Sequence, residues 1–119
     1  MTNGVTIQIF GLRNSKETRA AERFFKERRV TIQMVDLAQR SMAPAEIRRF
    51  TDRFGLPALL DMEGKAYVDA GLKYLRMPDP ELLARIEREP KLLRLPLVRA
   101  GTRLSIGHNE EAWKSMILS

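Results

Sequence analysis

The sequence contains no cysteine and a single histidine, His108. Without cysteine, the chain as written can form no disulfide, no thiolate metal site and no cysteine nucleophile. One imidazole cannot supply the clustered nitrogen and sulfur ligands of a zinc site, so we expect no metal, although carboxylates leave a looser site open. No G-x-S-x-G motif is present either, which argues against a serine hydrolase.

Long hydrophobic runs are also missing. No stretch approaches the roughly 20 apolar residues of a transmembrane helix, and the first ten residues, MTNGVTIQIF, lack the basic-then-apolar layout of a signal peptide. The sequence therefore predicts a cytoplasmic protein with no membrane partner. Its 119 residues, 44% hydrophobic and 30% charged, suit one compact domain spanning residues 1–119.

Positive charge is in excess, with a net charge of +6 and a pI of about 10.2. Such a balance favours an acidic partner, which is a nucleic acid, an anionic small molecule or an acidic protein surface. The basic residues alternate with acidic ones, as where Glu22 precedes Lys26 by four residues and Glu81 precedes Arg85 by four. This is the spacing of ion pairs on a solvated helix surface, which makes a nucleic-acid interface the weaker interpretation.

Hydrophobic periodicity predicts strand, helix, strand in the first third of the chain. Residues 5–10 and 30–37 alternate apolar with polar side chains, while from Thr18 the apolar residues follow a helical period. Such a unit implies two parallel strands with a right-handed crossover. Helical segments follow, one opened by Ser41 or Ala43 and closed by Gly55, and one capped by Asp79, with short turns around Gly64 and Gly71; a hairpin around Ala100 and Gly101 precedes a helix capped by Asn109.

The start of the first helix carries the candidate site. Asn14, followed three residues later by Glu17, has the chemistry of a capping box, which puts Ser15 on the first turn or at its edge. Arg13 and Arg19 flank this helix start, and with the free N–H groups they offer a site for a phosphate, sulfate or carboxylate.

Four segments together resemble the arsenate reductase (ArsC) and Spx family, a cytosolic bacterial branch of the thioredoxin superfamily. They are IQIFG, SKETRAAERFF, LLRLP and LVRAGTRLSIGHNEEAWK, and the resemblance covers nearly the whole chain. It implies an α/β fold of the thioredoxin-like, glutaredoxin type: a β-α-β and a β-β-α half with a helical insertion between them, at about residues 41–90.

The resemblance assigns roles to individual positions. Ser15 occupies the place of the family's nucleophilic cysteine, where a helix N-terminus stabilises a thiolate. Thr18 stands at the second cysteine of CxxC members, where its hydroxyl would donate a hydrogen bond to residue 15, and Arg19 matches a basic residue that commonly follows. Pro96 matches the family's cis-proline, which presents backbone to a bound peptide or glutathione.

The sequence departs from the family at decisive positions. A serine hydroxyl forms neither a mixed disulfide nor a sulfur–arsenic adduct. Two places that hold oxyanion-binding arginines in arsenate reductases are Glu63 and Leu95 here, with Arg94 one residue away. Arsenate is therefore a doubtful substrate even with a thiol restored.

Three interpretations remain open, and whether the chain is an enzyme depends on them. The chain is a redox-inactive family member, with no bound cofactor. Alternatively, it is an Spx-like regulator that binds the C-terminal domain of the α chain of RNA polymerase, since Gly55 falls near the glycine that Spx proteins use there. Finally, it derives from a monothiol CxxT oxidoreductase that uses glutathione or another thiol and whose cysteine at position 15 was replaced by serine.

Overall fold

The structure is a computed structural model that describes residues 5–118. The N-terminal residues 1–4 considered in the signal-peptide argument, and residue 119, lie outside the described part. The elements in chain order are β1 (Thr6–Gly11), α1 (Lys16–Glu27), β2 (Thr31–Asp36), α2 (Pro44–Phe54), α3 (Leu56–Leu59), α4 (Lys65–Asp69), a 3-10 turn (Leu72–Tyr74), α5 (Asp79–Arg88), a second 3-10 turn (Pro90–Leu92), β3 (Leu97–Ala100), β4 (Arg103–Ile106) and α6 (Glu110–Ile117).

The four strands form one sheet in the order β2-β1-β3-β4. β1 and β2 are parallel, with Thr6 opposite Thr31, and α1 makes the connection between them. β3 runs antiparallel to β1 and to β4. The tight turn of the β3–β4 hairpin contains Gly101, which has a φ of +64° that glycine adopts without strain. The predicted order of strands and helices is confirmed.

The described residues form two compact units: residues 5–40 together with 95–118, and residues 41–94. In the first unit, Ile7 and Ile9 of β1 pack with Phe24, Phe25 and Trp113, all 6% exposed or less. The aromatic rings meet at 5.2–6.1 Å between centroids, a spacing that favours tilted contacts over face-to-face stacking. The helical periodicity that begins at Thr18 therefore reflects a face of α1 buried on the sheet.

The unit of residues 41–94 is built from short helices. α2 begins after Ala43, with Pro44 in its first turn, and ends at Gly55, as predicted. Leu60 forms an isolated antiparallel bridge with Leu93. The prediction of a single domain over residues 1–119, with an insertion at about residues 41–90, stays a prediction.

Several local predictions needed adjustment. Asp79 is the first residue of α5 and not its cap, because Pro78 adopts the extended conformation that precedes the helix. The predicted pair of Glu22 with Lys26 is present at 3.3 Å. Arg85, which was predicted to pair with Glu81, pairs instead with Glu89 at 3.3 Å. Asn109 caps α6 as predicted, with its side chain accepting from the Ala112 N–H.

Within residues 5–118, no helix is long and apolar enough to cross a membrane.

Candidate functional site

Ser15 is the N-cap of α1. Its backbone is extended, with φ −83° and ψ 122°, and its Oγ accepts a hydrogen bond from the Thr18 N–H at 3.2 Å. Its own N–H donates to the Leu12 carbonyl at 3.0 Å. The placement of Ser15 at the helix edge is confirmed. The prediction of Asn14 as the cap, in a capping box with Glu17, is wrong, because the N-cap is Ser15, one residue later. Serine caps here because residue 15 is the last one with non-helical backbone dihedral angles.

Thr18 faces away from the solvent and is 1% exposed. Its Oγ1 accepts a hydrogen bond from the Leu12 N–H at 3.4 Å. The Thr18 group that contacts Ser15 is therefore its backbone N–H, and not the hydroxyl that the resemblance assigned to this role. Thr18 joins the end of β1 to the first turn of α1.

Gly11 is required by this arrangement, and the sequence reasoning missed it. A Cβ built at Gly11 would lie 2.4 Å from Thr18 Oγ1 and 2.6 Å from its Cγ2, far inside normal contact. The available signal was a glycine at the end of a predicted strand, a place where close backbone approach is common.

The two arginines of the predicted anion site are both engaged. Arg19 donates from Nη1 to the Arg13 carbonyl at 3.3 Å, so its side chain folds back over the loop. Arg13 places Nε 3.4 Å from Oδ2 of Asp36 at the end of β2, although 71% of its side chain is exposed. These two contacts thus hold the turn between β1 and α1 on both sides. An anion at the helix start would have to compete with the Asp36 carboxylate for Arg13.

Pro96 follows a cis peptide bond, as the resemblance implied. It is fully buried, and its carbonyl accepts from the Gly107 N–H at 2.9 Å. Because Phe10 pairs with Leu97, the antiparallel register sets Pro96 beside the end of β1. Arg94, by contrast, belongs to the other compact unit, where its N–H donates to the Leu59 carbonyl at 2.7 Å. Its predicted contribution to the site stays a prediction.

The chemistry available at Ser15 is limited. Within residues 5–118, the only group that hydrogen-bonds to its hydroxyl is the Thr18 N–H, so no side chain is placed to remove its proton. His108 lies on the surface, where Nε2 is 3.2 Å from a carboxylate oxygen of Glu110 and the ring centroid is 4.9 Å from that of Trp113. No cluster of three or more potential metal ligands occurs in the described part of the chain.

The fold is shared with several solved structures. An arsenate reductase from Vibrio cholerae is 18% identical and superposes with a TM-score of 0.76, over 98% of this chain and 100% of that one. An arsenate reductase related protein from Brucella melitensis is 12% identical, with a TM-score of 0.68 over 97% of each chain. A protein from Staphylococcus aureus COL is 22% identical, with a TM-score of 0.72 over 95% and 99%.

No curated protein matches the chain at a significant level. The model of the ArsC family matches residues 10–116, from the end of β1 to the last turn of α6. This range includes the capped helix start at Ser15 and the cis-proline at Pro96. With its thioredoxin-like architecture, the chain belongs to the ArsC family.

Proposed function

We propose that this chain is a redox-inactive, cytoplasmic member of the ArsC family that acts by binding a protein partner. One observation carries the proposal: Ser15, which the resemblance places at the family's nucleophile position, bears a hydroxyl that serves as the α1 N-cap. The Ser15 Oγ accepts a hydrogen bond from the Thr18 N–H, and this bond stabilises the start of the helix. Position 15 therefore carries an oxygen where the resemblance implies a sulfur.

Thiol chemistry has no substitute in this arrangement. Reduction of a disulfide or an oxyanion requires a sulfur that first forms a bond to the substrate and then leaves as half of a disulfide. Oxygen at position 15 does not form such a bond reversibly. Moreover, serine nucleophiles in enzymes depend on an adjacent base, and the described residues place none at Ser15.

The charge of the α1 region indicates the chemistry of the partner. Basic residues outnumber acidic ones along residues 13–29, and Lys16, Arg19, Arg23 and Lys26 are all exposed. This surface suits an acidic protein partner better than a nucleic acid, because Glu17, Glu22 and Glu27 interrupt it. The family resemblance makes the C-terminal domain of the α chain of RNA polymerase the first partner to test. Glutathione is the expected partner only if the chain derives from a monothiol oxidoreductase.

The test of redox inactivity restores the sulfur. Ser15→Cys puts a thiol at the family position, and Asn109→Cys puts one at the cap of α6, where the native side chain likewise accepts one N–H. The rate of iodoacetamide alkylation against pH gives the pKa of each thiol. The rate of exchange with glutathione disulfide is then compared at pH values that give both variants the same thiolate fraction. This rate measures the reactivity of each thiolate.

We expect the helix N-terminus to lower the pKa of both thiols below the ordinary value of about 8.5 to a similar extent, and both thiols to exchange at rates within about tenfold of each other. Arg13 is paired with Asp36 and Arg19 with a carbonyl, so a thiolate at position 15 would have to compete with these partners for the two cations. A pKa for Ser15→Cys far below that of Asn109→Cys, with rapid exchange, would overturn the proposal. It would favour the oxidoreductase whose cysteine was replaced.

A further inference from the structure

The outer edge of β2 is open. β2 is the terminal strand of the sheet, and no strand in residues 5–118 pairs with its outer side. Edge strands are usually protected by lysine, proline, bulges or short length. β2 has six residues, TIQMVD, pairs with β1 without interruption, and carries no charge before Asp36. The other edge strand, β4, has four residues and begins with Arg103.

The register shows which backbone groups of β2 point outward. The Leu37 N–H donates to the Gly11 carbonyl, so residues 31, 33 and 35 also direct their backbone groups towards β1. Ile32 and Met34 therefore direct their N–H and C=O groups away from the sheet. Within residues 5–118, no backbone group of another segment bonds to them.

The side chains at this edge are incompletely covered. Ile32 and Met34 pack against the core below α1 but remain partly exposed, whereas Ile7 and Ile9, their neighbours on β1, are fully buried. The difference arises because β1 has a strand on each side and β2 has one. A further strand beside β2 would cover the exposed parts of both side chains.

We infer that the occupant of this edge is the β2 strand of a second copy of the chain, paired antiparallel about a twofold axis at Gln33. In that register Ile32 faces Met34 of the second copy, and Met34 faces Ile32. Both have outward backbone groups, so each pair exchanges two hydrogen bonds. The edge is therefore self-complementary, as a twofold interface requires.

Charge supports the antiparallel direction. Arg28 and Arg29, both exposed, precede β2, and Asp36 ends it. Antiparallel pairing brings the basic end of one strand near the acidic end of the other, whereas parallel pairing would set like charges together. An unrelated extended peptide at this edge would satisfy the backbone groups without this charge match.

Sedimentation velocity over a concentration series tests the dimer, with charge variants at the axis. Gln33→Lys and Gln33→Glu each place like charges directly opposite each other and should raise the dimer dissociation constant by up to about fivefold at low salt. An equimolar mixture of the two should recover dimers. Ala84→Lys, an exposed change on α5, adds the same charge elsewhere and should leave association unchanged.

Amide hydrogen exchange gives an independent measurement. The Ile32 and Met34 N–H groups should exchange rapidly in dilute protein and become protected as concentration rises. Those of Gln33 and Val35, which bond to β1, should stay protected throughout. A chain that is monomeric at every concentration, a dimer that both variants leave intact, or a mixture that fails to recover dimers would each overturn the inference. A foreign peptide that protects Ile32 and Met34 while the protein stays monomeric would overturn it too.

Discussion

Thr18 and Gly11 lie so close that the space a Cβ would need at Gly11 is filled by the Thr18 side chain, 2.4 Å from the ideal Cβ position. The contact fastens the end of β1 to the first turn of α1, and the Leu12 N–H bonds to the same threonine hydroxyl. The position of Ser15 thus depends on a residue that is itself buried.

Gly11→Ala should destabilise the protein by about 1–3 kcal/mol, the usual cost of overpacking. Thr18→Ala removes both of the closest atoms, so the double variant should be more stable than the sum of the single effects implies. Urea denaturation of the four proteins measures the coupling. Strict additivity would show that the two residues do not compete for space.

Ser15→Ala should cost about 1 kcal/mol through loss of the α1 cap. Asn14→Ala is the matched control, because Asn14 is exposed and lies one residue outside the cap, and it should change the free energy of unfolding by less than about 0.5 kcal/mol. The reverse order of effects in thermal and urea unfolding would restore Asn14 as the cap.

Ser105→Ala should be neutral or stabilising, by up to about 1 kcal/mol. The Ser105 side chain is 2% exposed, and its hydroxyl has no hydrogen-bond partner within the described residues. Burial of that hydroxyl costs free energy that alanine avoids. A clear loss of stability in urea unfolding would mean that the hydroxyl has a partner in solution.

Lys65 donates a hydrogen bond to Asp69 at 2.6 Å, and this bond, together with the charge of the carboxylate, raises the pKa of the lysine above its ordinary value. Since the pKa is higher in the folded state, the pair contributes stability at pH below the ordinary lysine value and loses it as pH rises through the folded pKa. Asp69→Asn should lower the Lys65 pKa, as followed by NMR of its Cε. Glu63→Gln should not change it, and equal shifts in both variants would exclude the specific pair.

Much of the fold could be predicted from the chain alone. The alternation in residues 30–37 and the helical period from Thr18 onward specify elements because each buries one face. The caps were less predictable, since Asn14 and Ser15 are both good capping residues and differ only in backbone conformation. Asp79 was likewise predicted as a cap because aspartate is a good capping residue. The residue with the extended backbone before α5 is Pro78.

The features of the candidate site also divide into those that the sequence determines and those that only the tertiary structure shows. The amino-acid sequence alone excludes thiol chemistry, because there is no sulfur at position 15 or in any cysteine elsewhere. It also specifies the order of strands and helices, because periodicity is a local property. Only the tertiary structure showed that the Thr18 hydroxyl turns to Leu12, that Asp36 pairs with Arg13 and that no strand of residues 5–118 pairs with the outer edge of β2. The first depends on the backbone conformation between β1 and α1. The other two depend on which distant segments meet, and no local pattern records that.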